Sequence, residues 1–235
     1  MERAKYKYHH IEPDKPKNRC QFDAVVFDVD STLVTFEGLD WLADYKGKGQ
    51  EVIKLTMKSM EGHIDFNTAM VQKMQLLAPS YADLVKLGEV YCQNIVAGAQ
   101  EVVSVLHSWD TEVWILTGNF QPAVGILAQK LGIPPNRIIC NQVFFGSNGE
   151  YLGFDANSEL SQNGGKAKKI KMVADREGKR IAFVGDGMTD LEVKDHVTLF
   201  IGFGGVAERD IVKQRADLYI SEPSLKQILR IVAEN

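Results

Sequence analysis

Cysteine is scarce in this chain. Only three occur in 235 residues, and Cys20, Cys92 and Cys140 are far apart and odd in number. No CxxC or zinc-ligand spacing forms, which excludes a disulfide framework and points to reduced thiols in a cytoplasmic protein. Long apolar runs are missing too: nothing approaches the ~18 residues that cross a bilayer, so no membrane partner is expected. There is no excess of basic charge, because 27 Lys and Arg face 31 Asp and Glu for a net charge of -4. That balance gives no electrostatic reason to expect nucleic acid as a partner. Internal repeats and low-complexity tracts are absent. Residues 1–19 lack the apolar centre of a signal peptide, and Glu2, Glu12 and Asp14 argue against a transit peptide. This polar stretch, with Pro13 and Pro16, reads as a flexible or loosely docked arm in which His9 and His10 are solvated.

What is present is an ordinary globular composition, 45% hydrophobic and 25% charged, long enough for one or two domains with a sizeable core. Its most informative segment is Phe27-Asp28-Val29-Asp30-Ser31-Thr32. The apolar run Ala24-Val25-Val26-Phe27 before it reads as a buried parallel strand. Asp28 and Asp30, two apart on extended backbone, can face one ligand from the strand's carboxyl end. Two carboxylates there repel unless a cation or a shared proton relieves them. That suggests a divalent metal, a nucleophile with a separate acid/base, or both; the plainer alternative is a turn in which one Asp caps the next helix.

Two more apolar runs end in similar fashion. Val113-Trp114-Ile115-Leu116 leads into Thr117-Gly118-Asn119, and Ile181-Ala182-Phe183-Val184 leads into Gly185-Asp186-Gly187-Met188-Thr189-Asp190. In an open α/β sheet ligands lie beyond the carboxyl ends of the strands. Acid, hydroxyl and acid therefore reach one edge, with glycines that permit close backbone approach. Between the second and third runs, Gly164-Gly165-Lys166 places a cation at the start of a helical pattern. The plainer reading of Lys166 is a solvated helix face, since Lys168, Lys169 and Lys171 follow.

Between the first strand and about Ala97 the pattern is helical only. Val52, Leu55 and Met60 mark one helix, and Phe66, Met70, Met74 and Leu77 another. Ser80-x-x-Asp83 is a capping-box-like start to a third, with Leu84, Leu87, Tyr91 and Ile95 at helical spacing. From Gly98 onward strands and helices alternate, which predicts a doubly wound, mostly parallel α/β sheet. Pro122 and Gly132 bound one of its helices. Val143–Phe145 and Tyr151–Phe154 flank Ser147-Asn148-Gly149, a hairpin signal. Strands at Ile181, Leu199 and Leu218 and a last helix with Leu225, Ile228, Leu229 and Val232 complete the pattern.

The order Asp28-x-Asp30-Ser31-Thr32, Thr117, Lys166, then Gly185-Asp186-Gly187-x-Thr189-Asp190 resembles the haloacid dehalogenase superfamily of phosphohydrolases. Glu37, Met60-x5-Phe66 and Phe200-Ile201-Gly202-Phe203-Gly204-Gly205 extend the likeness, within that superfamily, to phosphoserine phosphatases, from about Phe22 to the C-terminus. The resemblance implies a catalytic core of residues 20–32 and 98–235, with a small helical-bundle cap, 33–97, inserted after the first strand. It implies hydrolysis of a small phosphomonoester, O-phosphoserine first, through an aspartyl-phosphate. Asp28 would be the nucleophile and Asp30 the general acid and then base. Magnesium (Mg2+) would be held by Asp28, the backbone carbonyl of Asp30 and Asp186; its taste for oxygen ligands suits a cluster without histidine. Asp190 would ligate the metal, orient the lysine or the metal's water shell, or cap a helix. Lys166 and Thr117 would hold phosphoryl oxygens, with Ser31, Gly118 and Thr189 beside them.

For the leaving group, the resemblance implies that Glu37 meets an amine and that Met60 and Phe66 supply apolar contacts, unless these two are bundle core. Two positions depart from the family pattern. Lys73 stands where an arginine clamps the substrate carboxylate, and a point charge replaces a planar fork. Asn119 stands where a second glycine is usual, adding a side chain beside the substrate. The alternative is a phosphatase or phosphotransferase for another small amine-bearing monoester: phosphoethanolamine, phosphocholine or phosphohomoserine. The oligomeric state is left as monomer or homodimer.

Overall fold

The computed structural model describes residues 19–174 and 178–234, with backbone only at Met60. Most of the expected N-terminal arm and the side chain of Met60 lie outside the described residues. β1 (Ala24–Phe27) is buried at every position because both faces of its sheet are covered. Val25 and Phe27 enter one apolar cluster; Ala24 and Val26 enter the other. This explains why β1 reads as an unbroken apolar run rather than an alternating one.

The chain then leaves the sheet for α1 (Gly38–Tyr45), α2 (Gly49–Met60), α3 (Phe66–Leu77) and α4 (Tyr81–Gln93). Its way out and its way back are tied together. Val34 bridges Ile95, and the Val96 N–H donates to Leu33 O at 2.9 Å. That pairing stops α4 at Gln93, so Ile95 is not the helical residue its spacing suggests. α3 starts on Asp65, whose side chain accepts the Thr68 N–H. α4 starts on the anticipated reciprocal box between Ser80 and Asp83.

α5 (Ala99–Ser108) returns to the sheet and leads into β2 (Glu112–Phe120), followed by α6 (Ala123–Leu131) and β3 (Ile138–Asn141). β2 runs four residues beyond the apolar stretch that announced it. Its register against β3 shifts between Leu116 and Phe120, and Asn141 Nδ2 donates to Gly118 O at 2.9 Å. Thr117-Gly118-Asn119 is therefore an irregular strand end rather than a loop. β4 (Val143–Phe145) and β5 (Tyr151–Phe154) form the antiparallel hairpin. The remaining elements are α7 (Gly165–Lys169), β6 (Ile181–Gly185), α8 (Met188–Leu191), β7 (Leu199–Phe203), α9 (Asp210–Arg215), β8 (Leu218–Ile220) and α10 (Gln227–Val232).

Among the described residues the main sheet has strand order β3-β2-β1-β6-β7-β8, all parallel. The chain winds outward to one side of β1, then restarts on the other side at β6. That reversal opens a crevice at the carboxyl ends of β1, β2 and β6, where doubly wound sheets take their ligands.

Candidate active site

Three of the predicted groups project from these strand ends. Asp28 follows β1, Thr117 lies in β2 and Asp186 follows β6. The Asp28 N–H donates to Val184 O at 3.0 Å, so the turn out of β1 is pinned to β6. Lys166, in α7, is 6% exposed, which rules out the solvated-face reading. Its Nζ lies 2.7 Å from Asp28 Oδ1 and 2.6 Å from Asp190 Oδ1. Burial alone would lower the lysine's pKa; the two carboxylates outweigh it and hold the ammonium charged. Gly165 lets this helix start close in, because a Cβ there would strike the Glu159 backbone.

Both Asp190 oxygens are occupied: Oδ1 by Lys166, Oδ2 by the N–H groups of Asp186 and Gly187 at 3.1 and 2.9 Å. Burial and the nearby Asp28 charge push its carboxyl above the usual range, against the pull of Lys166 and the Gly187 N–H. Asp28, Asp186 and Asp190 are all buried, and each offers an oxygen within 4.8 Å of the others. Thr32 Oγ1 donates to Asp186 Oδ1 at 3.3 Å. On the other oxygen, Arg209 forms an ion pair with Asp186, so this acid already draws a cation. Buried carboxylate oxygens without His or Cys suit a hard divalent ion, and the residues fit a metal.

Asp30 is partly buried where it meets the cavity. Burial, then the charges of Glu37 and Asp28, raise its pKa well above the ordinary carboxylate value; Asn119 and the Gly38 N–H oppose this by hydrogen bonding. A carboxyl that holds its proton more tightly than usual suits a proton donor. Ser31 takes a left-handed φ of 51°, a strained conformation for a serine, and its Oγ donates to Glu37 Oε1 at 2.9 Å.

A cavity of about 360 Å³ joins these groups to the helices above. Of the predicted residues, Asp28, Asp30, Glu37, Phe66, Lys73, Thr117, Gly118, Asn119, Lys166 and Thr189 line it. Asp186 and Asp190 line an adjoining recess with Asp28, Asp30 and Thr189. Ser31 lines neither and acts on Glu37 from behind. Half-buried Lys73 has its pKa lowered by burial, partly restored by Asp40 and Glu37. Arg209 lines both spaces and donates from Nη2 to Glu37 Oε1 at 3.0 Å. It was not anticipated, although the Gly204-Gly205 that follows buried β7 is the same glycine-after-strand signal seen at the other site loops.

Residues 25–193 match the family described as haloacid dehalogenase-like hydrolase. The phosphoserine phosphatase of Bos taurus is 38% identical over 204 residues, covering 86% of this chain and 91% of its own length. The chain belongs to the phosphoserine phosphatase family of haloacid dehalogenase-like hydrolases. A solved phospho-aspartyl intermediate analogue of a phosphoserine phosphatase superposes with a TM-score of 0.73 at 26% identity, covering 90% of this chain and 99% of that one. A substrate-bound phosphoserine phosphatase complex gives 0.73 at 25% identity, with the same coverage. The expected doubly wound hydrolase fold is thus the fold found. No helix among the described residues is long and apolar enough to cross a membrane.

Proposed function

We propose that this phosphoserine phosphatase family member hydrolyses O-phosphoserine to serine and phosphate. One observation carries the reading: a single cavity joins a phosphate-handling end, Asp28, Thr117 and Lys166, to an end bearing both signs of charge. Glu37 suits the ammonium of an amino acid. Lys73 and Arg209 suit its carboxylate. Phosphoethanolamine and phosphocholine have nothing to offer those two cations.

In the first step an Asp28 oxygen attacks phosphorus as the bond to the serine oxygen breaks, and Asp30 passes its proton to that oxygen. In the second, the Asp30 carboxylate takes a proton from water while the water oxygen attacks phosphorus. The bond to Asp28 breaks, phosphate leaves, and both acids return to their starting states. Lys166 and Thr117 hold phosphoryl oxygens through both steps, and Lys166 pairs with Asp28. Magnesium, held by Asp28, Asp186 and the Asp30 carbonyl, would when bound offset negative charge between nucleophile and phosphoryl group. We assign Asp190 to orienting Lys166, whose Nζ lies 2.6 Å from its Oδ1. The helices of residues 33–97 serve as the cap that shields the cavity. The three free cysteines support a reducing, cytoplasmic setting.

The test is turnover of O-phosphoserine and phosphoethanolamine by wild type, Lys73→Ala and Asp28→Asn. The expected result is a wild-type preference for phosphoserine that Lys73→Ala erodes by about ten- to 150-fold in kcat/KM. Asp28→Asn should abolish turnover of both. Equal use of the two substrates, indifferent to Lys73→Ala, would overturn the substrate assignment; an active Asp28→Asn would overturn the mechanism.

A further inference from the structure

Asp30 belongs to no regular element, since β1 ends at Phe27 and Ser31 turns left-handed behind it. A carboxyl on such a turn needs outside contacts to keep one direction. Three converge on it. Tyr91 Oη, near the end of α4, donates to Asp30 Oδ1 at 3.3 Å. The Asn119 side chain, near the end of β2, whose Nδ2 also donates to Thr117 Oγ1 at 3.5 Å, and the Gly38 N–H, at the start of α1, face the same carboxyl and favour its ionised form. Gly38 shows how closely they meet. A Cβ there would lie 2.9 Å from Tyr91 Cζ, 3.3 Å from Asn119 Oδ1 and nearer still to Tyr91 Oη. Only a residue without a side chain lets the other two reach Asp30 together.

Both side chains come from rigid supports. Tyr91 is fully buried, with its ring 5.4 Å from Phe36. Its helix α4 lies hard against α6 of the core, where a Cβ on Gly88 would collide with Ile126. Asn119 is 6% exposed, and the strand end that carries it is held by Asn141, which in turn accepts from Ser161 Oγ at 3.4 Å. A glycine at 119 could not make this contact.

We infer that Tyr91 and Asn119 are positioning residues for protonation of the leaving group, holding the Asp30 carboxyl toward the departing alkoxide. The inference rests on the reading of Asp30 as acid and base. The Tyr91 hydroxyl donates to Oδ1, which favours Oδ2 as the oxygen that carries the acid's proton. As the phosphorus–oxygen bond breaks, that proton moves to the serine oxygen and leaves Asp30 an anion. Misplacing a general acid matters only when the leaving group needs a proton, so the two variants should discriminate between leaving groups.

The experiment compares kcat/KM for O-phosphoserine with that for p-nitrophenyl phosphate, whose phenolate departs without protonation. Because kcat/KM reports events through leaving-group departure, the shared hydrolysis of the phospho-enzyme does not enter. Tyr91→Phe and Asn119→Ala should each lose about tenfold or more on phosphoserine and less than about twofold on the aryl ester. Asp30→Asn is the reference and should show the same split more strongly. Equal losses on both substrates, or none, would reduce Tyr91 and Asn119 to packing and overturn the inference while leaving Asp30's role intact. If Asp30→Asn itself shows no split, the acid/base reading fails and takes the inference with it. Should Tyr91→Phe not fold, Asn119→Ala decides by the same criterion.

Discussion

Replacing Lys166 by methionine tests whether the centre of the site is held by charge. The substitution keeps most of the stem volume and deletes the ammonium. It leaves Asp28 and Asp190 facing each other with side chains 9% and 1% exposed, where Nζ had stood 2.7 and 2.6 Å away. Asp190 keeps the amides of Asp186 and Gly187. Asp28 Oδ1 has no other aligned hydrogen bond, so the cost falls mainly there. Removing one partner of a buried ion pair costs about 3–5 kcal/mol. For a chain of this size that corresponds to a Tm loss of roughly 6–20 °C. The assay is thermal unfolding in chelator across a pH series. Without the lysine, burial and the facing Asp28 charge push the Asp190 carboxyl, already raised, higher still. The unpaired charges are then absent at acid pH, and the deficit grows as pH rises through the carboxylate range. A loss of under about 2 °C at neutral pH, or a deficit that shrinks as pH rises, would show that these carboxylates are solvated or already share a proton.

Other consequences are more local. Burial pushes the Asp83 carboxyl up, but its contacts with Lys46 at 2.7 Å and the Ser80 N–H at 2.8 Å outweigh that and hold it below the usual value. Asp83→Asn should therefore cost roughly 0.5–2 kcal/mol at neutral pH, and thermal melts should show the difference fading as pH falls below the usual 3.8. Exhaustive chelation should abolish phosphatase activity and magnesium should restore it; full activity in chelator would remove the metal from the mechanism. A bound substrate analogue should slow hydrogen exchange in α1–α3 but not in α4, because α4 is wedged against α6. Unchanged exchange throughout α1–α3 would remove the lid from the account. Asn67 Nδ2, which donates to Ala156 O and Ser161 O at 3.0 and 2.9 Å, latches α3 to the core, so Asn67→Ala should speed exchange in that helix without substrate.

Strand ends were legible in the sequence because their chemistry is local. An apolar run followed by Asp, Thr or Gly-Asp needs no knowledge of partners, and Asp28, Thr117 and Asp186 lie at the crevice those runs predict. Tyr91 was legible only as an apolar position on a helix. Its Oη gains meaning through Asp30, 61 residues earlier, and no spacing rule reaches that far. Asn119 was noticed as an added side chain beside the substrate; that it meets the acid/base depends on β2 continuing to Phe120, which Gly118 and Asn119 argue against locally. Arg209 comes to the site because β7 lies beside β6 in register, Gly202 against Gly185. That juxtaposition belongs to the sheet order and not to any motif. Asp190 was ambiguous for a different reason: a helix-start acid can cap, ligate or pair, and here it accepts the Asp186 and Gly187 amides, pairs with Lys166 and lies in the acidic cluster at once.

The charges around Asp28 explain why a metal would affect binding as well as chemistry. Asp28, Asp30, Asp186 and Asp190 converge on a space that offers Lys166 and Arg209 as cations. Lys166 is already committed to two carboxylates and Arg209 to Asp186 and Glu37. A phosphoryl dianion entering this space meets acids whose counter-charges are spent, and in a poorly solvated cavity that repulsion is weakly screened. A divalent ion on Asp28 and Asp186 would supply the missing charge and free Arg209 from Asp186 to face the cavity it lines. Loss of the metal should therefore weaken phosphate binding itself, raising the inhibition constant of inorganic phosphate-like anions as well as lowering turnover.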